Sequence, residues 1–179
     1  VINVPNIITV FRVFLVPVFI MAIFYGKFKT ALFVFLLASL TDALDGFLAR
    51  KLNQVTTLGV MLDPIADKSL IDSGYILFSF SEKIIPVWLS TIILSRDLLI
   101  IFGGWLLSIF GKLDRIRPNL LGKFTAFLQF LTIFAVLVRI NYGIIGLKEL
   151  YFLFYLTAAF TVASAVYYTY RGIRELNGE

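Results

Sequence analysis

Six apolar stretches, each close to the length a helix needs to cross a bilayer, constrain this chain more than any other feature. A hydrocarbon core of about 30 Å takes about 20 helical residues at 1.5 Å each. The stretches run from Ile7 to Tyr25, Thr30 to Gly46, Gly59 to Phe80, Ile84 to Phe110, Leu120 to Val138 and Leu150 to Tyr170. Polar and turn-forming residues separate them, among them Gly26-Lys27, Asn53-Gln54, Ser81-Glu82-Lys83, Arg115 to Asn119 and Asn141-Tyr142-Gly143. In lipid the backbone must satisfy its own hydrogen bonds within each segment, so spans of this kind are helices. The expected fold is all-α, a polytopic membrane protein with six transmembrane helices forming one domain over residues 1–179. Composition agrees, with 60% apolar and 15% charged residues against about 45–50% and 25% in soluble domains. The first span has no basic leader or small-residue cleavage site and is expected to be retained, with Pro5-Asn6 turning and capping its start.

Six spans put both termini on one side, and the basic residues indicate which. The connectors after spans two and four, with the C-terminal tail, carry Arg50, Lys51, Lys112, Arg115, Arg117, Lys123, Arg171 and Arg174. The opposite connectors carry Lys27, Lys29, Lys83, Arg139 and Lys148. This bias favours cytoplasmic termini. With so little polar surface, the net charge of +5 is read as contact with anionic headgroups, not with nucleic acid.

The chain has no Cys and no His, which removes thiolate and imidazole chemistry and leaves carboxylates, Lys, Arg and hydroxyls. Six of its eleven acidic residues, Asp42, Asp45, Asp63, Asp67, Asp72 and Asp97, fall inside the spans. A charge exposed there costs about 2.5–3.5 kcal/mol or more near the bilayer centre, so these groups need a polar cavity or a partner. Asp42 and Asp45 are spaced i, i+3 at the end of span two. Gly59, Asp63 and Asp67 follow at i, i+4, i+8 at the start of span three. Each set lines one helix face. The connector from Ala49 to Leu58 makes the two helices antiparallel neighbours, bringing the four carboxylates to one depth near the cytoplasmic face. Four hard oxygen donors select Mg²⁺ or Mn²⁺, and Mg²⁺ commonly shares its shell with phosphate oxygens. Gly46, Ala49 and Gly59 leave room for a ligand beside the helices, and Arg50 can fork onto phosphate. A diphosphate-bearing lipid fits this arrangement.

Asp42-Ala-Leu-Asp45-Gly46-Phe-Leu-Ala49-Arg50, then eight residues, then Gly59-Val-Met-Leu-Asp63-Pro-Ile-Ala-Asp67 resembles the signature of the CDP-alcohol phosphatidyltransferases. Eight fixed residues at fixed spacing arise by chance on the order of 10⁻¹⁰ per start position at background frequencies of roughly 6%. The resemblance implies a six-helix membrane enzyme, a homodimer, with its cavity open to the cytoplasmic leaflet. Such an enzyme moves a phosphatidyl group from a CDP-lipid to an alcohol and releases CMP. On that resemblance Asp42, Asp45, Asp63 and Asp67 hold one or two divalent ions on the diphosphate, two in the fuller reading. Asp67 is also the base toward the acceptor hydroxyl. Asp42, Gly46, Ala49, Arg50 and Gly59 contact the CDP-lipid.

Pro5 to Arg12, Leu62 to Lys68, Ser95-Arg96-Asp97 and Leu121-Gly122-Lys123 resemble the branch of the family that uses CDP-diacylglycerol and sn-glycerol 3-phosphate. The branch that takes phosphatidylglycerol also carries Arg-Asp at this place and is the alternative. Arg96, Lys123 and Arg117 are the candidate contacts for the acceptor's phosphate. Each has a plainer reading as well: Arg96 and Asp97 as mutual partners, and Lys123 as a side chain reaching to headgroups. Arg12, with Asn6 and Thr9, can anchor and cap span one, an end that the resemblance places near the nucleotide. A cation channel or transporter would thread acids across the midplane, whereas here they mass near one face.

Overall fold

A computed structural model describes the backbone of residues 4–52, 57–109 and 120–177, and the side chains of residues 11–41, 68–106, 109 and 120–174. Among the described residues all regular structure is helical: α1 (Val4–Phe24), α2 (Phe28–Leu52), α3 (Thr57–Phe80), α4 (Val87–Ile109), α5 (Leu120–Tyr142) and α6 (Leu147–Asn177). Each matches one expected span, with shifted ends.

The shifts have local causes. At the end of α1 the Gly26 amide bonds the Ile23 carbonyl at 2.9 Å and the Lys27 amide bonds Ala22 at 2.8 Å. This paired closure needs a left-handed residue, and Gly26 supplies it at φ 66°. α2 continues past Gly46 to Leu52, because one interior glycine costs a helix only about 1 kcal/mol. α4 starts at Val87 instead of Ile84: Pro86 forces Ile85 out of the helical region, and the Leu89 amide bonds the Pro86 carbonyl. α5 runs four residues beyond Val138. Its Asn141 amide donates to Leu137 one turn back at 2.8 Å and to the Phe28 carbonyl at 3.0 Å, which ties off the end of α5 on the start of α2. α6 continues through the polar tail to Asn177.

The helices sort into two compact units, Val1–Ile84 with Ile133–Ile144, and Ile85–Thr132 with Ile145–Glu179. In the first, α1 packs against both α2 and α3. Phe19 and Phe35 are fully buried with ring centroids 5.7 Å apart. A Cβ on Gly74 would come within 3.2 Å of Ile133 Cδ1, so the lack of a side chain lets α3 approach the last turns of α5. In the second unit α4 packs against α6, and Trp88 stacks on Tyr155 at 5.5 Å.

Both units keep apolar interiors, yet large apolar side chains are exposed and polar ones buried. Phe14, Phe24, Phe33, Leu98, Phe102 and Phe152 are each more than 60% exposed. Arg12, Arg96, Asp97, Thr125, Gln129, Thr132, Thr157, Thr161 and Ser164 are buried. Water would expel that apolar surface, while lipid accommodates it. The chain is therefore a membrane protein. Among the described residues, Val87–Leu106, Leu120–Tyr142 and Leu147–Arg174 are long and apolar enough to cross a bilayer.

Candidate active site

The residues expected to carry the chemistry fall on helices of both units. α2 bears Asp42, Asp45, Gly46, Ala49 and Arg50, and α3 bears Gly59, Asp63 and Asp67. The side chains of these eight lie outside the described residues, and Arg117 lies outside them altogether. The structure does supply the scaffold. Asp42 to Arg50 sit on uninterrupted helix, as the i, i+3 argument requires. α2 and α3 belong to the same unit, and α1 packs against both. Only residues 53–56 separate them, so Leu52 and Thr57 lie at most about 18 Å apart.

In the second unit Arg96 sits in the middle of α4 with only 6% of its surface exposed. Its Nη1 donates to Asp97 Oδ1 at 2.6 Å and its Nη2 donates to Ser164 Oγ on α6 at 2.9 Å. The guanidinium carbon lies 5.9 Å from the centroid of the Tyr168 ring. The mutual pairing anticipated for Arg96 and Asp97 is present. One donor of the fork, Nε, is buried with no hydrogen-bond partner among the described residues. Lys123, on the first turn of α5, is exposed and borders a shallow apolar groove with Leu120, Phe124, Phe127 and Phe160. That position suits an ammonium reaching toward headgroup level.

Arg12 is 1% exposed on α1. It is held inside the first unit.

Residues 2–167 match the family model described as CDP-alcohol phosphatidyltransferase. The chain belongs to the CDP-alcohol phosphatidyltransferases. Within the family it is similar to a CDP-diacylglycerol–glycerol-3-phosphate 3-phosphatidyltransferase of Wigglesworthia glossinidia brevipalpis, 40% identical over 83% of this chain and 85% of the relative. An enzyme of the same name from Aquifex aeolicus is 32% identical over 92% of this chain and 88% of that one. A CMP-forming cardiolipin synthase of Rattus norvegicus is 35% identical over 95% of this chain and 61% of the relative.

Against that family background two residues outside the sequence motifs stand out, Ser164 and Tyr168. A signal for the first was present: Thr157, Thr161 and Ser164 recur at i, i+4, i+7 on α6. A hydroxyl stripe inside an apolar helix marks a buried face.

Proposed function

We propose that this phosphatidyltransferase moves the phosphatidyl group of CDP-diacylglycerol to sn-glycerol 3-phosphate, giving phosphatidylglycerophosphate and CMP in phospholipid biosynthesis. The observation that carries this reading is the 40% identity, over most of both chains, to a relative named for that reaction. The intact signature from Asp42 to Asp67 supports an active catalyst. The setting is the cell membrane, crossed six times, with the reaction at the cytoplasmic face and two copies of the chain in the functional unit. The charge bias of the connectors supports the orientation.

Asp42, Asp45, Asp63 and Asp67 are a donor set of oxygens only, in a chain without Cys or His, and that set fits Mg²⁺ or Mn²⁺. These four residues would hold one or two such ions, which when bound supply positive charge to the diphosphate and the departing CMP. The chain's own groups do the rest. Gly46, Ala49 and Gly59 leave space beside the helices for the nucleotide. Arg50 donates to its phosphate oxygens. Arg96, Lys123 and Arg117 take the phosphate of the acceptor and so orient its free hydroxyl. Asp67 accepts that hydroxyl's proton as the oxygen attacks the phosphorus bearing the diacylglycerol. The new P–O bond forms as the bond to the CMP phosphate breaks, and CMP leaves with the electron pair.

The relatives named cardiolipin synthase support a second reading in which phosphatidylglycerol is the acceptor. One experiment separates the two. Purified protein is given CDP-diacylglycerol and Mg²⁺ with glycerol 3-phosphate or phosphatidylglycerol, and the lipid product is identified. Phosphatidylglycerophosphate from the first mixture is the expected result. Cardiolipin from the second, with glycerol 3-phosphate ignored, overturns the acceptor.

A further inference from the structure

We infer that Ser164 is a positioning residue for acceptor selection, holding the Arg96 guanidinium so that its remaining donors face the acceptor's phosphate. This rests on the reading that Arg96 binds that phosphate. Arg96 lies about 14 Å along α4 from its first residue at 1.5 Å per residue. At such a depth in a spanning helix, a charged group that serves no purpose is costly. Asp97 neutralises it, but a single bond from the adjacent residue leaves the planar group free to swing about that contact. Ser164, from a different helix, fixes the second terminal nitrogen at 2.9 Å. Two contacts on two nitrogens, with the Tyr168 ring 5.9 Å from the guanidinium carbon, set both the position and the plane of the fork.

The bonding on either side of Ser164 shows that its role differs from that of its stripe. Thr161 donates to the Thr157 carbonyl at 2.7 Å, and Thr157 and Thr132 bond each other at 2.8 Å. Those hydroxyls join helix to helix or to their own backbone, whereas Ser164 accepts from a cation. It is also fully buried, so water does not compete for its oxygen. Nε is left buried without a partner among the described residues. A buried donor in that state costs free energy until a ligand satisfies it. A phosphate oxygen is the acceptor an arginine fork is shaped for. The fork is thus held before the substrate arrives, and the hydroxyl holding it comes from α6.

The test uses the full chain, purified and reconstituted, with Ser164→Ala, Ser164→Cys, Arg96→Lys and the Ser164→Ala/Arg96→Lys pair. Loss of a hydrogen bond to a charged group is worth about tenfold or more, so Ser164→Ala should raise KM for glycerol 3-phosphate by about tenfold. Its kcat and its KM for CDP-diacylglycerol should stay near the parent values. Ser164→Cys, of similar size but a weaker acceptor, should fall between, and it keeps the question decidable if the alanine variant fails to fold. In the Arg96→Lys background Ser164→Ala should add little. An unchanged acceptor KM in both serine variants overturns the proposal, as does an equal loss of kcat and of donor affinity. A full additional effect in the Arg96→Lys background shows that Ser164 does not act through Arg96. If Arg96→Lys itself leaves the acceptor KM unchanged, the reading beneath the proposal has failed instead.

Discussion

On the proposed mechanism, removing the Asp67 carboxylate should separate binding from chemistry. Asparagine keeps its shape and an oxygen ligand but cannot take a proton, so Asp67→Asn should retain CDP-diacylglycerol binding and lose turnover by about 10²–10⁴-fold. Equilibrium binding of labelled CDP-lipid beside CMP release checks both halves, and near-parental turnover would move the base elsewhere. What helical spacing makes legible in sequence is the shared face, since Gly59, Asp63 and Asp67 need only one helix to line it; the role of base comes from the family resemblance. The partners of Arg96 are legible by halves. Asp97 is its neighbour in the chain, while Ser164 is 68 residues away, and which hydroxyl of α6 meets α4 depends on how the two helices pack. The same four carboxylates yield a second expectation. If they converge as the proposed site requires, they cannot all remain ionised without cations, so excess chelator should abolish CMP release and added Mg²⁺ or Mn²⁺ restore it. Full turnover in chelator would remove the metal from the proposed mechanism.

Between helices, hydroxyls contribute some of the contacts that join the second unit. Thr125, Gln129 and Thr132 on α5, and Thr157, Thr161 and Ser164 on α6, recur at i, i+4, i+7, and all six are buried. Thr125 Oγ1 donates at 2.8 Å to its own helix at Leu121 and lies 3.2 Å from the Phe160 carbonyl of α6. Small polar residues allow close approach where lipid offers no hydrophobic drive between helices. Replacing both partners of the Thr132–Thr157 bond by Val should therefore cost little more than replacing one. A double-mutant cycle on thermal unfolding should give a coupling of about 0.6 kcal/mol, the typical value for such pairs in membranes. Zero coupling would make the contact incidental. The limits of the helices were less legible than their existence. A capping amide such as Asn141 reads equally well as a loop residue until the Phe28 carbonyl it bonds is in place. Gly26 was legible as a turn, and nothing lies within 4 Å of a Cβ built there. Gly26→Ala therefore tests backbone strain alone and should cost about 1–2 kcal/mol, read as a lower unfolding temperature in detergent.

Across the whole molecule, the number of crossings decides where the reaction sits. Among the described residues three helices have the length and composition of spans, and the shorter apolar stretches Phe11–Phe24 and Phe28–Thr41 belong to α1 and α2. α1 covers 21 residues and α2 covers 25, about 31 and 37 Å of helix at 1.5 Å per residue, enough to cross a core of about 30 Å. α1 carries one charged residue, Arg12, while Asp42, Asp45, Arg50 and Lys51 gather in the last turns of α2. An even number of crossings returns both termini to one side, and an odd number separates them. The chain has no Cys, so a single introduced cysteine reports one position without background. Tyr25, Ser81 and Ile144 are exposed at the ends of α1, α3 and α5. With six crossings, cysteines at these three sites react with an impermeant maleimide added to intact cells. Cysteines at Leu120, which begins α5, and at Ile173, near the end of α6, react only after the membrane is opened. Six crossings also put Leu52, at the end of α2, on the cytoplasmic side with Leu120, whereas a three-crossing chain built from α4, α5 and α6 would leave it on the side of Tyr25 and Ser81. A cysteine at Leu52 that labels in intact cells together with those at Tyr25 and Ser81 would therefore reject six crossings, and with them the cytoplasmic placement of the four aspartates.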